Sequence, residues 1–164
     1  MAATDRLVVY FSLDGHTAAL ARAMAEAVGA DLLELVPEKP YPRRGFCKYF
    51  LGGFKALRKE APPLRPLAKD PAAYGTVFLG TPVWAGHPAP PLWSFLRQVD
   101  LAGRRVALFC SCMNAPGVAL AELRAALAGK NEIVAEKVFT GDKDRAGLEQ
   151  AAKKWAQAVI ASLS

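Results

Sequence analysis

Leu7-Val8-Val9-Tyr10-Phe11 runs directly into Ser12-Leu13-Asp14-Gly15-His16-Thr17, and the reading of this junction decides the fold. Five consecutive apolar residues are the pattern of a central strand in a parallel sheet, buried on both faces rather than alternating in and out. Downstream, Leu20, Met24 and Val28 recur at helical spacing with alanines between them, and Gly29 supplies a stop. The turn between strand and helix is rich in small and hydroxyl residues. Its backbone N–H groups and hydroxyls converge at the positive end of the helix dipole, which makes it a site for an anion such as a phosphate.

Outward from this unit, apolar runs alternate with helical patterns along almost the whole chain, as repeated β-α units around a parallel sheet require. Strands are expected near Leu7 to Ser12, Asp31 to Val36, Thr76 to Gly80, Arg105 to Cys110 and Ile133 to Thr140. Helices are expected near Gly15 to Val28, Pro91 to Val99, Pro116 to Ala128 and Arg145 to Leu163. Right-handed crossovers place such helices on both faces of the sheet. A chain of 164 residues fits one domain over 1–164 with a sizeable core.

No apolar run approaches the roughly 18 residues of a membrane span, and Asp5 and Arg6 interrupt the opening before any signal-peptide pattern. The expectation is a soluble, cytoplasmic protein. Cys47, Cys110 and Cys112 are an odd set without a C-x-x-C pair or a histidine cluster, so neither a disulfide framework nor a zinc site is expected. Cys110 reads as the end of a buried strand and Cys112 as part of the loop beyond it, close enough to approach a ligand.

Segment 37–66 departs from the β-α rhythm. It holds eight basic residues (Lys39, Arg43, Arg44, Lys48, Lys55, Arg58, Lys59, Arg65) against Glu38 and Glu60, a surplus of six that equals the net charge of the whole chain, +6. Phe46, Tyr49, Phe50 and Leu57 share a helical face with Phe54 at its edge, and Gly52-Gly53 predicts a bend or break. The segment reads either as a crossover whose aromatic stripe covers the sheet, or as a basic docking surface for an acidic protein around Arg43, Arg44 and Lys48. One local cluster without a recognition motif argues against nucleic acid.

Two further loops belong at the carboxyl end of the sheet, where open α/β folds bind ligands. The first is Gly80-Thr81-Pro82-Val83-Trp84-Ala85-Gly86-His87-Pro88, in which Trp84 offers either a flat surface to a ring or a plug for the core. His87 has no partner that sequence identifies, and no catalytic role is assigned to it. The second is Ser111-Cys112-Met113-Asn114-Ala115-Pro116-Gly117, where Ser111 and Asn114 are candidates either to bond a heterocycle edge or to cap the following helix.

Together these three loops resemble those of the flavodoxin family, and the chain looks like a short-chain flavodoxin or a close flavodoxin-like protein. Ser12-Leu13-Asp14-Gly15-His16-Thr17 is similar to the family's phosphate loop, S/T-x-T/S-G-x-T; Gly80 to Gly86 followed by Pro90-Pro91-Leu92 is similar to its first ring loop; Ser111 to Gly117 stands at its second. The resemblance implies a three-layer sandwich around a five-stranded parallel sheet of order 2-1-3-4-5. It implies one non-covalent flavin mononucleotide (FMN), contacted by Ser12 to Thr17, by Thr81 to Gly86, and by Ser111, Cys112, Met113, Asn114 and Gly117. Two roles follow: an electron carrier working between redox proteins, or an NAD(P)H-dependent quinone or flavin reductase. The carrier, which needs an exposed flavin edge and a partner surface but no substrate pocket, is preferred to the reductase, which needs room for hydride donor and acceptor over the ring. In two respects the chain departs from the pattern. Asp14 stands where the phosphate loop usually has a hydroxyl, and a carboxylate near a phosphate is unfavourable unless it turns away. The net charge is positive where many flavodoxins are acidic.

Overall fold

β1 (Arg6–Tyr10) lies between two parallel neighbours in a computed structural model that describes residues 3–42, 59–141 and 143–164. On one side Val9 stands opposite Leu33 of β2 (Asp31–Glu34), and on the other opposite Leu79 of β3 (Thr76–Trp84). β5 (Arg105–Cys112) pairs with β3, and β6 (Glu132–Thr140) with β5, giving the parallel path β2-β1-β3-β5-β6. With the short β4 (His87–Pro88) set aside, this is the expected order 2-1-3-4-5.

Alternation along the strands sorts the core into two layers. Leu7, Val9, Val77, Leu79, Val106 and Leu108 face α2 (Pro90–Gln98) and α3 (Ala119–Leu127), where Leu92, Phe95 and Leu123 meet them. Val8, Tyr10, Phe78, Ala107 and Phe109 face α1 (His16–Val28) and α4 (Arg145–Ser162), against Leu20, Met24, Ala152 and Ala156. Each fully buried leucine or valine contributes about 1.5–3 kcal/mol, so strand and helix patterns are stabilised by the same contacts. Alanines on α1 and α4 let these two helices lie close together, with both N-termini at the carboxyl end of the sheet.

Several boundaries differ from expectation, β1 ending at Tyr10 rather than Ser12 and β2 at Glu34 rather than Val36. β3 continues past Gly80 to Trp84, because β5 runs on beside it (Thr81 opposite Cys110, Pro82 opposite Ser111) and β4 then folds back, pairing Val83 with Pro88 and Trp84 with His87. Ser111 and Cys112 are therefore the last residues of β5, not loop residues. α3 starts at Ala119 rather than Pro116, since the chain makes one more turn in which Ala119 N–H bonds Pro116 O at 3.2 Å. Segment 37–66 is pinned at its described ends: Glu38 N–H donates to Pro63 O at 2.9 Å and Arg65 N–H to Val36 O at 2.7 Å. The expected aromatic stripe at Phe46, Tyr49, Phe50, Phe54 and Leu57, the Gly52-Gly53 bend, the Arg43, Arg44 and Lys48 cluster, and Cys47 lie outside the described residues. Among the described residues no helix is long and apolar enough to cross a membrane, and no group of histidines, cysteines and carboxylates is arranged to hold a metal ion.

Candidate functional site

The turn after β1 is shaped by Gly15, whose φ of 92° belongs to the left-handed region that favours glycine. Its N–H donates to Ser12 Oγ at 3.2 Å, and its carbonyl accepts the first helical bond, from Ala19 N–H at 3.0 Å. The amides of His16, Thr17 and Ala18 precede that bond and have no carbonyl within α1 to receive them. Thr17 is almost wholly buried, and its Oγ1 lies 2.7 Å from Ser111 Oγ, which ties the start of α1 to the end of β5.

β3 and β4 form a hairpin closed by Ala85-Gly86, both at positive φ (52° and 82°), the signature of a type I′ turn. Trp84 meets Phe11 and Tyr41 edge to face, with ring centroids 5.6 and 5.1 Å away, and also lines the cleft described below. The two readings of Trp84 are thus joined in one residue: part of the ring packs on the core and part faces open space. Tyr41 is itself pushed up to about 12, by burial first and by Glu60 second.

The hairpin is fastened to the third loop. Val118 N–H donates to Gly86 O at 2.8 Å, and the two glycine backbones approach so closely that a Cβ on Gly117, at φ 56°, would overlap Gly86 Cα. Beside this contact His87 Nδ1 lies 2.8 Å from Glu122 Oε1 on α3, and Lys59 Nζ lies 4.0 Å from Glu122 Oε2. This partner of His87 leaves no local signal in the sequence, because the carboxylate lies 35 positions away on a helix that only the fold brings near.

Between these elements opens a cleft of about 510 Å³. Ser12, Leu13, Asp14, His16 and Thr17 line it from the turn after β1 and the start of α1, Pro82, Val83, Trp84 and Ala85 from the end of β3 and its hairpin turn, Ser111, Cys112 and Met113 from the end of β5 and the residue beyond it. Of the other residues singled out from sequence, Gly15 shapes the first turn. Thr81 is buried, its Oγ1 accepting from Ala89 N–H at 2.9 Å, while Gly86 and Gly117 form the backbone contact just described. Asn114 is exposed, and neither it nor Ser111 caps α3, whose N-cap is Val118. Gly141, just beyond β6, also lines the cleft without being among the residues expected there; its one sequence signal is its place after another parallel strand. Behind the cleft Cys110 is fully buried, and burial, then the neighbouring Cys112, pushes its thiol up to about 12.

A cleft of this size lies within the range of about 300–1,000 Å³ that accepts a cofactor-sized ligand. Its donors are chemically divided. Ser12, Thr17, Ser111 and the first-turn amides suit an anionic group, while Leu13, Val83, Trp84 and Met113 suit a flat apolar one. Open α/β sheets bind their ligands in such a cleft, at the carboxyl ends of their strands. Over residues 5–159 the chain matches the family model for flavodoxin, and it belongs to that family. No curated protein sequence matches it. Among solved structures it is similar to a candidate flavoprotein from Bacteroides uniformis (24% identity, 95% of this chain and 99% of that one, TM-score 0.76). A flavoprotein in complex with FMN from Lactobacillus acidophilus is also similar (21%, 89% and 99%, TM-score 0.69), as is oxidised flavodoxin 2 from Bacillus cereus (18%, 98% and 99%, TM-score 0.64).

Proposed function

We propose that this chain holds one FMN without a covalent bond and serves as an electron carrier between redox proteins. The observation that carries this reading is the convergence of three strand-end segments on one cleft with hydroxyls and helix-terminal amides together with an apolar wall. The donor set fits the cofactor: Ser12, Thr17 and the first turn of α1 would hold its phosphate, and Trp84, Val83 and Met113 would flank its ring. When bound, the flavin supplies one- and two-electron chemistry that no side chain of this protein can perform.

The protein's own part is placement and exclusion of water. Thr17 and Ser111 hold the start of α1 to the end of β5, and the Gly86 to Val118 bond holds the hairpin to the segment before α3, so the walls are set before a ligand arrives. Met113 is exposed at the rim, consistent with an open edge through which electrons pass. The charge distribution supports an acidic partner: Lys39, Lys59 and Arg65 are exposed, and they flank Arg43, Arg44 and Lys48 in sequence.

The test is to add FMN to purified apoprotein and then NADH or NADPH under anaerobic conditions. FMN binding, with reduction only when a second redox protein is present, supports the carrier. Rapid bleaching by the nucleotide alone assigns the reductase instead, and failure to take up FMN removes both.

A further inference from the structure

Gly15 O accepts a hydrogen bond from Arg145 Nη2 at 3.3 Å, across 130 positions of sequence. Gly15 is the N-cap of α1, and Arg145 is the first residue of α4, so the contact spans the two helix N-termini that lie side by side at the carboxyl end of the sheet. A small recess continues the cleft here. It is lined by Arg145, Glu149 and Leu148 together with His16, Ser111 and Gly141, and the last three line the cleft as well. Arg145 is the one lysine or arginine lining either space among the described residues.

A cation beside this turn bears on the charge of a bound phosphate. A phosphate monoester carries about −1.5 to −2 at neutral pH, and the end of a helix offers roughly +0.5. Asp14, which lines the cleft in the same turn, adds a carboxylate. Glu149 Oε1 lies 3.4 Å from Arg145 Nε, and Asp144 is engaged at the start of α4, its carboxylate accepting from Gly147 N–H at 2.9 Å. A guanidinium has five N–H donors in a rigid fork. With Nη2 on Gly15 O and Nε toward Glu149, other donors of that fork remain for an anion.

We infer that Arg145 is a specificity-determining residue that selects the phosphorylated flavin, favouring FMN over riboflavin. The inference rests on the flavin-binding reading above, and it concerns discrimination rather than binding as such.

The experiment titrates apoprotein with FMN and with riboflavin, following flavin fluorescence, for the wild type, Arg145→Gln and Arg145→Lys. Arg145→Gln should weaken FMN roughly five-fold at low salt, while riboflavin shifts by less than about two-fold. Arg145→Lys should recover most of the difference, and the gap between wild type and Arg145→Gln should close as salt rises. An equal loss for both flavins would mean a merely structural role and overturn the inference, as would unchanged FMN affinity. Wild-type protein that binds FMN in either case leaves the function intact. Wild-type protein that binds no flavin removes the function and the inference together.

Discussion

Thr17 Oγ1 and Ser111 Oγ lie 2.7 Å apart although 94 positions separate them, and Thr17 is 1% exposed. A buried hydroxyl left without its partner costs about 1–3 kcal/mol. Thr17→Val keeps the shape and strands Ser111, so urea unfolding of the apoprotein should show a loss of about 1 kcal/mol. FMN affinity should fall with it, because the same hydroxyl pair sets the distance between two walls of the cleft.

Asp14→Thr restores a hydroxyl where the family pattern has one and removes a carboxylate that lines the cleft. FMN affinity is expected to rise several-fold, with riboflavin little changed, in equilibrium titration. Weaker FMN binding would show instead that the carboxylate organises the turn.

At Ala85 an alanine occupies φ 52° in the hairpin turn. The left-handed conformation costs a non-glycine residue roughly 1–2 kcal/mol. Ala85→Gly, or Ala85→Asn, should raise the urea midpoint of the apoprotein, with a gain of about 0.5–1 kcal/mol.

Gly117→Ala should do the reverse. Its Cβ would sit 2.5 Å from Gly86 O and overlap Gly86 Cα, besides occupying φ 56°. The hairpin and the third loop must part, at a cost of about 1–3 kcal/mol, and FMN titration should report the displaced wall as lost affinity.

The two described cysteines should differ in reactivity. Cys112 lines the cleft, whereas Cys110 is buried with its thiol pushed up to about 12 by burial and by Cys112. Iodoacetamide near pH 8 should label Cys112 and spare Cys110, as read by mass spectrometry of peptides, and FMN should slow the labelling. The raised value also sets an alkaline limit. The unfolded thiol ionises near its ordinary 9.0 and the folded one near 12, so the stabilisation is full below pH 9 and is lost as pH rises from there towards 12. Cys110→Ala should flatten that part of the stability curve.

Much of this architecture was legible because the central strands β1, β3 and β5 carry continuous apolar runs and the helices carry their own period. Leu7 to Phe11 and the Leu20, Met24, Val28 stripe needed no tertiary information. The extension of β3 to Trp84 was hidden because Pro82 and Gly86 read as loop residues, while the pairing that keeps Pro82 in a strand comes from Ser111. Pairings between distant residues were hidden for the same reason. His87 with Glu122, Thr17 with Ser111, and Arg145 with Gly15 each join segments that no local pattern connects.

Because β3 and β5 stay paired as far as Pro82 and Ser111, two walls of the cleft are adjacent strands of a single hydrogen-bonded ladder, with Thr81 opposite Cys110 and Pro82 opposite Ser111. Neighbouring strands stand about 4.8 Å apart by backbone geometry alone. At its base the mouth of the site therefore has a gauge that side-chain substitution cannot widen. Evolution or design can change the lining and the rim, but a broader ligand would have to be accommodated by moving a strand.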